Sequence, residues 1–166
     1  MCLVEIERAG RAQCSVVENL FQLYMHDMSA FCPVEMTETG RFRFDATSLD
    51  AYWDDAAHHA FLIRSAGELC GFLLAHPAPA DPGRYDVEQF FVLRRFRRRG
   101  VGAAAFRQCV RALPGKWQVR VLLENRAAFA FWQRAVAGVV GSGFTQCIEP
   151  DEDLNMHFLR FKAEAA

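Results

Sequence analysis

The sequence predicts an α/β domain built on one mixed, twisted sheet of about seven strands flanked by helices. Three observations point there. Segments with the two-residue period of strands alternate with segments of helical period. The passage 87–123 runs strand, glycine turn, helix, strand, which demands a parallel pair joined by a right-handed crossover. A chain of 166 residues that is 52% hydrophobic can bury a continuous core, so residues 1–166 are expected to form a single domain.

The elements follow in order. Residues 3–8, LVEIER, suit a short strand. Val17, Leu20, Phe21, Tyr24 and Met28 then recur at helical spacing to about residue 30. The segment 31–44, FCPVEMTETGRFRF, carries Pro, Gly and polar clusters and reads as a loop, and Ser48 offers an N-cap to a short helix, LDAYWDDAAHH, over 49–59. Two apolar runs around Ser-Ala-Gly-Glu in 60–76 predict an antiparallel hairpin with its turn near Gly67. HPAPADPG, 76–83, reads as a loop, and YDVEQFFVL, 85–93, as the next strand. A helix over 100–113 is stopped by Pro114-Gly115, WQVRVLL alternates as a strand over 117–123, and ENRAAFAFWQRAVAG is a helix ending near Gly138. GSGFTQCI and LNMHFLRFK are the last two strands, separated by the acidic turn EPDED. No internal repeat or low-complexity linker interrupts the order.

Bulk properties narrow the functional classes. Nineteen Lys+Arg stand against twenty Asp+Glu, a formal net charge of -1, so no general affinity for polyanions is indicated. The start, MCLVEIERAG, lacks the basic and apolar regions of a signal peptide, and no segment approaches the roughly 18 apolar residues of a membrane span. A cytoplasmic protein is expected. Cys2, Cys14, Cys32, Cys70, Cys109 and Cys147 form no Cys-x-x-Cys pair and read as reduced, small hydrophobes, with no metal site implied. Cys70 and Cys109 lack an evident histidine partner for a nucleophilic role.

Against that neutral background, VEQFFVLRRFRRRGVG at 87–102 places five arginines in six positions ahead of Gly-Val-Gly. A strand entering a helix through such a turn brings unpaired N–H groups and the positive helix end to one spot, which suits phosphate. Gly100, Gly102, Ala103 and Ala104 would let a diphosphate approach the backbone, and flanking arginines would add charge-assisted hydrogen bonds. Gly100, Gly102 and Ala105 also satisfy the dinucleotide pattern G-x-G-x-x-A, with Glu124 near the place of a ribose-binding acid. Against a dinucleotide-dependent oxidoreductase, RRFRRR separates the strand from its first glycine, and some 85 residues precede the strand. The P-loop pattern is absent. An RNA-binding patch would want aromatic residues interleaved on an exposed sheet face and further basic residues, neither of which is evident.

Arg97-Arg98-Arg99-Gly100-Val101-Gly102 resembles the acyl-CoA pyrophosphate motif, Arg/Gln-x-x-Gly-x-Gly/Ala, of the GNAT superfamily of N-acetyltransferases. Asn125, Ala128, Phe131 and Trp132 resemble that family's Asn-x-x-Ala-x-x-Phe-Tyr helix start, and the element order matches from end to end. A small bacterial branch of predicted acetyltransferases is similar along most of the chain. The resemblance implies a GNAT-like fold and an acetyl-CoA-dependent transfer of an acetyl group directly to a primary amine. The acceptor would be a small molecule or peptide, with no nucleic acid and no membrane as partner, and a homodimer is allowed. It further implies that backbone N–H groups of residues 98–103 hold the pyrophosphate, that Arg94 and Arg95 are spare for the 3'-phosphate, and that Phe90, Phe91 and Val92 contact pantetheine. One N–H near Val92 would polarise the thioester carbonyl. Asn125 would bond pantetheine or cap its helix.

Acetyl transfer needs a neutral amine, so a carboxylate or water must take a proton from an ammonium that titrates near roughly 10.4. VEQFFV resembles the corresponding strand of polyamine acetyltransferases, which implies Glu88 as general base. Glu88 is expected on the strand face of Phe90 and Val92, with Asp86 on the opposite face as the alternative. Trp132 occupies the place of a tyrosine thought to protonate the departing thiolate, and indole cannot do this. A core role is expected for Trp132, and a thiol with a pKa of about 8.5 leaves tolerably without help. The same substitution motivates a second reading, a CoA-binding sensor with little catalysis. His58 and His59 read as surface or packing residues. Tyr52, Trp53, Asp54 and Asp55, with Glu149, Asp151, Glu152 and Asp153, are placed to wall the acceptor site, where acidic groups would favour a cationic amine.

Overall fold

The structure is a computed structural model and describes residues 3–164, which leaves Cys2 outside the described residues. Seven strands form one sheet in the order β1-β2-β3-β4-β5-β7-β6. They are β1 (Val4–Arg8), β2 (His59–Ser65), β3 (Glu68–Ala78), β4 (Asp81–Val92), β5 (Gly115–Leu122), β6 (Phe144–Asp151) and β7 (Leu154–Ala163). The helices are α1 (Cys14–Met28), the single turn α2 (Ala51–Asp54), α3 (Val101–Ala112) and α4 (Arg126–Val140). All neighbours pair antiparallel except β4 and β5, which are parallel and joined through α3 as the 87–123 passage requires. Among the described residues no helix is long and apolar enough to cross a membrane.

The apolar periods explain the layers. On one face, α3 and α4 bury Phe106, Cys109, Val110, Trp132, Ala135 and Val136 against Phe61, Leu73, Val87, Trp117, Val119 and Leu159. On the other, α1 lays Val17, Leu20 and Phe21 over Leu62, Phe72, Leu74 and Phe91. The second face of β5 and β7 carries Gln118, Arg120 and Arg160, whose polar heads form hydrogen bonds and ion pairs there. The β2–β3 turn has Ala66 at φ +50° and Gly67 at φ +80°, the two positive angles of a type I′ hairpin.

Four expected boundaries change. Ser48 is not an N-cap: Asp45 caps a 3₁₀ turn at Ala46–Leu49 by accepting from the Thr47 N–H, and Ser48 donates to the Asp45 carbonyl. The helical stretch ends at Asp54, so His58 lies off the helix and His59 opens β2. The segment HPAPADPG is not a loop, because β3 runs to Ala78 and β4 starts at Asp81. Its ladder shifts register between Pro77 and Ala78, which accommodates residues that cannot donate. The last helix passes Gly138, at about 1 kcal/mol relative to alanine, and stops at Gly141, whose φ of +62° suits glycine.

A bidentate pair ties β6 to β7. Arg160 donates twice to Glu149, at 2.7 and 2.6 Å. Those bonds, assisted by the Cys147 thiol, lower the Glu149 carboxyl to about 2. Because the folded value is depressed, the pair's contribution is present above the ordinary Glu range and is lost as pH falls towards about 2. Carbon-detected NMR should show Glu149 titrating near 2, and Arg160→Gln should return it to the ordinary range.

Gly71 has a different constraint. A Cβ there would lie 2.1 Å from the Phe91 carbonyl oxygen, a backbone atom that cannot rotate away. Gly71→Ala should therefore destabilise the fold by about 3 kcal/mol in urea unfolding, the upper part of the usual overpacking range.

Candidate active site

The site begins where a ladder ends. β4 pairs with β5 from Arg84·Lys116 to Val87·Val119 and no further, although β4 continues to Val92 and β5 to Leu122. On its other side β4 stays on β3, with Gln89, Phe90, Phe91 and Val92 opposite Leu74, Leu73, Phe72 and Gly71. The register jumps from Ala75·Val87 to Leu74·Gln89, so Glu88 is the extra residue of a β-bulge. The bulge re-aims β4 at the point where the two strands part. Residues 88–92 then present an edge without a ladder partner on the β5 side.

The direction of that edge can be read from its neighbours. The Leu93 N–H donates to Cys70 on β3, while the Val92 carbonyl accepts from Arg97 Nε at 2.6 Å. In an extended strand a residue's N–H and C=O point the same way. Val92 therefore turns both away from β3, and its N–H is a donor facing the opening.

The bulge also sets the faces. Phe90 and Val92 pack with the α3–α4 side, where Phe90 stacks on Phe131 and meets Trp132. Phe91 packs with the α1 side. Glu88 does not share the face of Phe90 and Val92: it accepts from the Tyr52 hydroxyl on the α1–α2 side. Asp86 is on that same side, where it takes a hydrogen bond from Gln118 Nε2 at 3.0 Å. Strict alternation already puts Asp86 with Glu88, and the inserted residue separates Glu88 from Phe90.

Asp86 and Glu88 have contrasting surroundings. Asp86 is fully buried, and burial raises its carboxyl above the ordinary value. Arg120 Nε lies 2.8 Å from its Oδ2, an ion pair whose N–H is not directed along the contact, and Arg120 Nη1 donates to Asp151 at 2.7 Å. Glu88 is exposed. Tyr52 is buried, and burial followed by the Glu88 charge pushes its phenol well above the ordinary range, so it is a donor. Of these groups, Glu88 is the carboxylate open to an incoming molecule.

Beyond β4, Arg94–Phe96 form a 3₁₀ turn and α3 starts at Val101. Gly100 sits at φ +78° just before it, a conformation open to glycine at no steric cost. A Cβ on Gly102 would meet the Phe131 ring at 3.2 Å and the Phe90 ring at 3.4 Å. The first turn of α3 is thus bare backbone beside two aromatic rings. Arg98, itself at φ +58°, and Arg99 are exposed there and form no ion pair among the described residues. The remaining arginines are engaged elsewhere. Arg94 and Arg97 both pair with Asp27 on α1, and Arg95 pairs with Glu68. A glycine-led helix start beside two unpaired guanidiniums fits a diphosphate.

The remaining expected residues divide. Asn125 caps α4 by accepting from the Ala128 N–H at 3.1 Å. Trp132 is 6% exposed and packs on Phe90, Phe106 and Phe131. Its role is core packing, with truncation to alanine worth roughly 3–5 kcal/mol. Ala103 lies in the first turn of α3 beside Gly102. The acidic wall is largely compensated: Asp54 pairs with Arg11, Asp55 with His58, Glu149 with Arg160 and Asp151 with Arg120. Sequence reasoning missed the Tyr52–Glu88 bond and the Asp86–Arg120–Asp151 chain, because each joins residues from separate elements. Two surface concavities, of about 140 and 260 Å³, lie away from the splay, beside Arg107 and Gly138 and between α1 and residues 37–46. They lack the open strand edge and are not the site.

Comparisons with known proteins agree with this fold. The chain superposes on an acetyltransferase from Thermus thermophilus with a TM-score of 0.71 at 16% identity, covering 96% of each chain. A spermidine N-acetyltransferase variant from Vibrio cholerae matches with a TM-score of 0.62 at 10% identity, over 96% of this chain and 93% of that one. The ribosomal-protein-S18-alanine N-acetyltransferase of Escherichia coli matches with a TM-score of 0.62 at 11% identity, over 99% of this chain and 96% of that one. No curated protein sequence matches significantly. A sequence profile described as "Acetyltransferase (GNAT) family" matches residues 17–137, most of the chain and all of the splay and glycine turn. The chain is a member of the GNAT family of acetyltransferases.

Proposed function

We propose that the protein transfers an acetyl group from acetyl-CoA directly to a primary amine, with Glu88 as general base. The observation that carries this reading is the unpaired β4 edge at 88–92, bounded at one end by Glu88 and at the other by the glycine turn. The chain's own groups divide the work. Backbone N–H groups around Arg98–Ala103 and the Arg98 and Arg99 guanidiniums bind the diphosphate. The backbone of Phe90, Phe91 and Val92 offers strand-like partners to pantetheine, and the Val92 N–H polarises the thioester carbonyl. Gly100 keeps the approach open, Gly102 lets α3 pack against the Phe90 and Phe131 rings, Val101 anchors the turn in the core, and Asn125 fixes the start of α4. Arg97 holds the Val92 carbonyl and Asp27, so it positions the turn.

Glu88 takes the proton from the acceptor ammonium. The amine nitrogen then bonds to the acetyl carbon as the carbon–sulfur bond breaks, and the sulfur leaves as thiolate. The nitrogen sheds its second proton to solvent as the amide forms; Trp132 supplies no proton, so the thiolate is protonated by solvent, and Glu88 returns its own proton to solvent. Spermidine and an alanine of ribosomal protein S18 are acceptors named for structural relatives. Both are primary amines, and they head the panel to test.

Two outcomes are expected. Across spermidine, an aminoglycoside and an alanine-initiated peptide, thiol release from acetyl-CoA should fall by about 10²- to 10⁴-fold in Glu88→Gln with little change in KM for acetyl-CoA. CoA at about 100 times its Kd should stabilise the protein by ~2.7 kcal/mol, a rise in Tm of roughly 5–10 °C, with no rise from NADH and a smaller one from CoA in the Arg98→Ala/Arg99→Ala double variant. CoA protection without turnover on any amine would favour the sensor reading. Protection by NADH alone would overturn both.

A further inference from the structure

We infer that Tyr52 is a positioning residue for the general base: its hydroxyl holds Glu88 Oε2 and thereby leaves Oε1 to take the acceptor's proton. The inference rests on the proposed role of Glu88. It starts from an asymmetry. Glu88 sits on an exposed bulge, where a three-torsion side chain would sample many rotamers, yet a buried phenol donates to one of its oxygens. A base must stay within hydrogen-bond reach of the proton it removes, and a freely rotating carboxylate does so only part of the time.

The surroundings of Tyr52 are built to hold that hydroxyl still. The residue is 6% exposed and packs in the α1-side core with Leu49 and Phe91. It lies in the single helical turn α2, whose last residue, Asp54, is tied to Arg11. The His58 ring stands edge-on to Tyr52 at 5.2 Å, is held by Asp55 at 3.0 Å, and stacks on His76 at 5.6 Å. His76 is the ladder partner of Asp86, two residues before Glu88. The collar therefore closes back onto β4 and ties the hydroxyl to the strand whose carboxylate it orients. A phenol is a suitable donor here because it remains protonated beside a carboxylate, whereas an ammonium or guanidinium would repel a cationic acceptor.

The test is a double-mutant cycle with acetyl-CoA and the amine of highest turnover in the panel above. Tyr52→Phe keeps the ring and removes the donor. It should lower kcat by about 10-fold or more, with KM for both substrates within about twofold. In a Glu88→Gln background the same change should alter kcat by less than about twofold, because the hydroxyl acts only through the carboxylate. Replacing Tyr52 by p-aminophenylalanine, which retains a donor, should recover most of the loss. Equal losses in both backgrounds, or no loss in the wild-type background, would overturn the inference. If Glu88→Gln itself keeps full activity, the general-base reading fails instead, so the two failures are distinct. An acceptor-independent measurement covers poor folding of the variant or a silent panel. The Tyr52 hydroxyl proton should be resolved by NMR in slow exchange and lost in Glu88→Ala, and its persistence in Glu88→Ala would equally sink the proposal.

Discussion

Parallel pairing between β4 and β5 stops at Val87·Val119, and the arrangement of the site follows from that interruption. A sheet interior normally satisfies backbone groups on both sides of every strand. Here each strand keeps only its outer neighbour beyond the break, β3 for β4 and β7 for β5. The bulge at Glu88 lets β4 turn away without losing β3, and the eight-residue ladder from Gly115 to Leu122 holds β5 on β7. The consequence is a wedge with hydrogen-bonding backbone on its wall, a carboxylate at its apex and a helix start at its mouth. A sheet with continuous pairing would have none of these.

The arginine run is divided between building this wedge and serving it. Arg97 links the Val92 carbonyl to Asp27, so the glycine turn, the end of β4 and the C-terminal turn of α1 are joined through one guanidinium. Arg94 reinforces the same carboxylate, and Arg95 pairs with Glu68 on β3. These are exposed or half-exposed pairs, each worth at most about 1 kcal/mol. Their value lies in register more than in stability. Arg98 and Arg99 form no ion pair among the described residues. The acidic side chains opposite are treated in the same way, since Arg120 and Arg160 pair with Asp86, Asp151 and Glu149, whereas among the described residues Glu88 is bound by a neutral phenol.

Trp132 is committed to packing. Its indole fills the space between Phe90 and Phe106, and Phe131 beside it lies against Gly102. The aromatic cluster thereby supports the floor of the cradle from below. Burial of a large ring is favourable at roughly 25 cal/mol per Å² of apolar surface. On the proposed reading, the chemistry would rely on the acidity of the leaving thiol, since this position belongs to the core.

Much of this was legible in the chain order. Apolar periodicity located all seven strands and the three longer helices, since burial on one face imposes a period whatever the partner. The glycine turn was legible because positive φ at Gly100 and a bare first turn at Gly102 restrict residue type locally. Boundaries set by competing caps were not: Asp45 took the cap in place of Ser48, and Gly141 stopped a helix that Gly138 did not. The face of Glu88 was misassigned because a bulge depends on how β3 lies against β4. The sequence by itself determined the elements, the parallel crossover and the glycine turn, all of which arise from contacts within a few residues or from obligatory periodicity. Only the tertiary structure decided where β4 and β5 part, which arginines are committed to Asp27 and Glu68, and that Tyr52 meets Glu88 across 36 residues. Those outcomes depend on distances between elements, which no local pattern encodes.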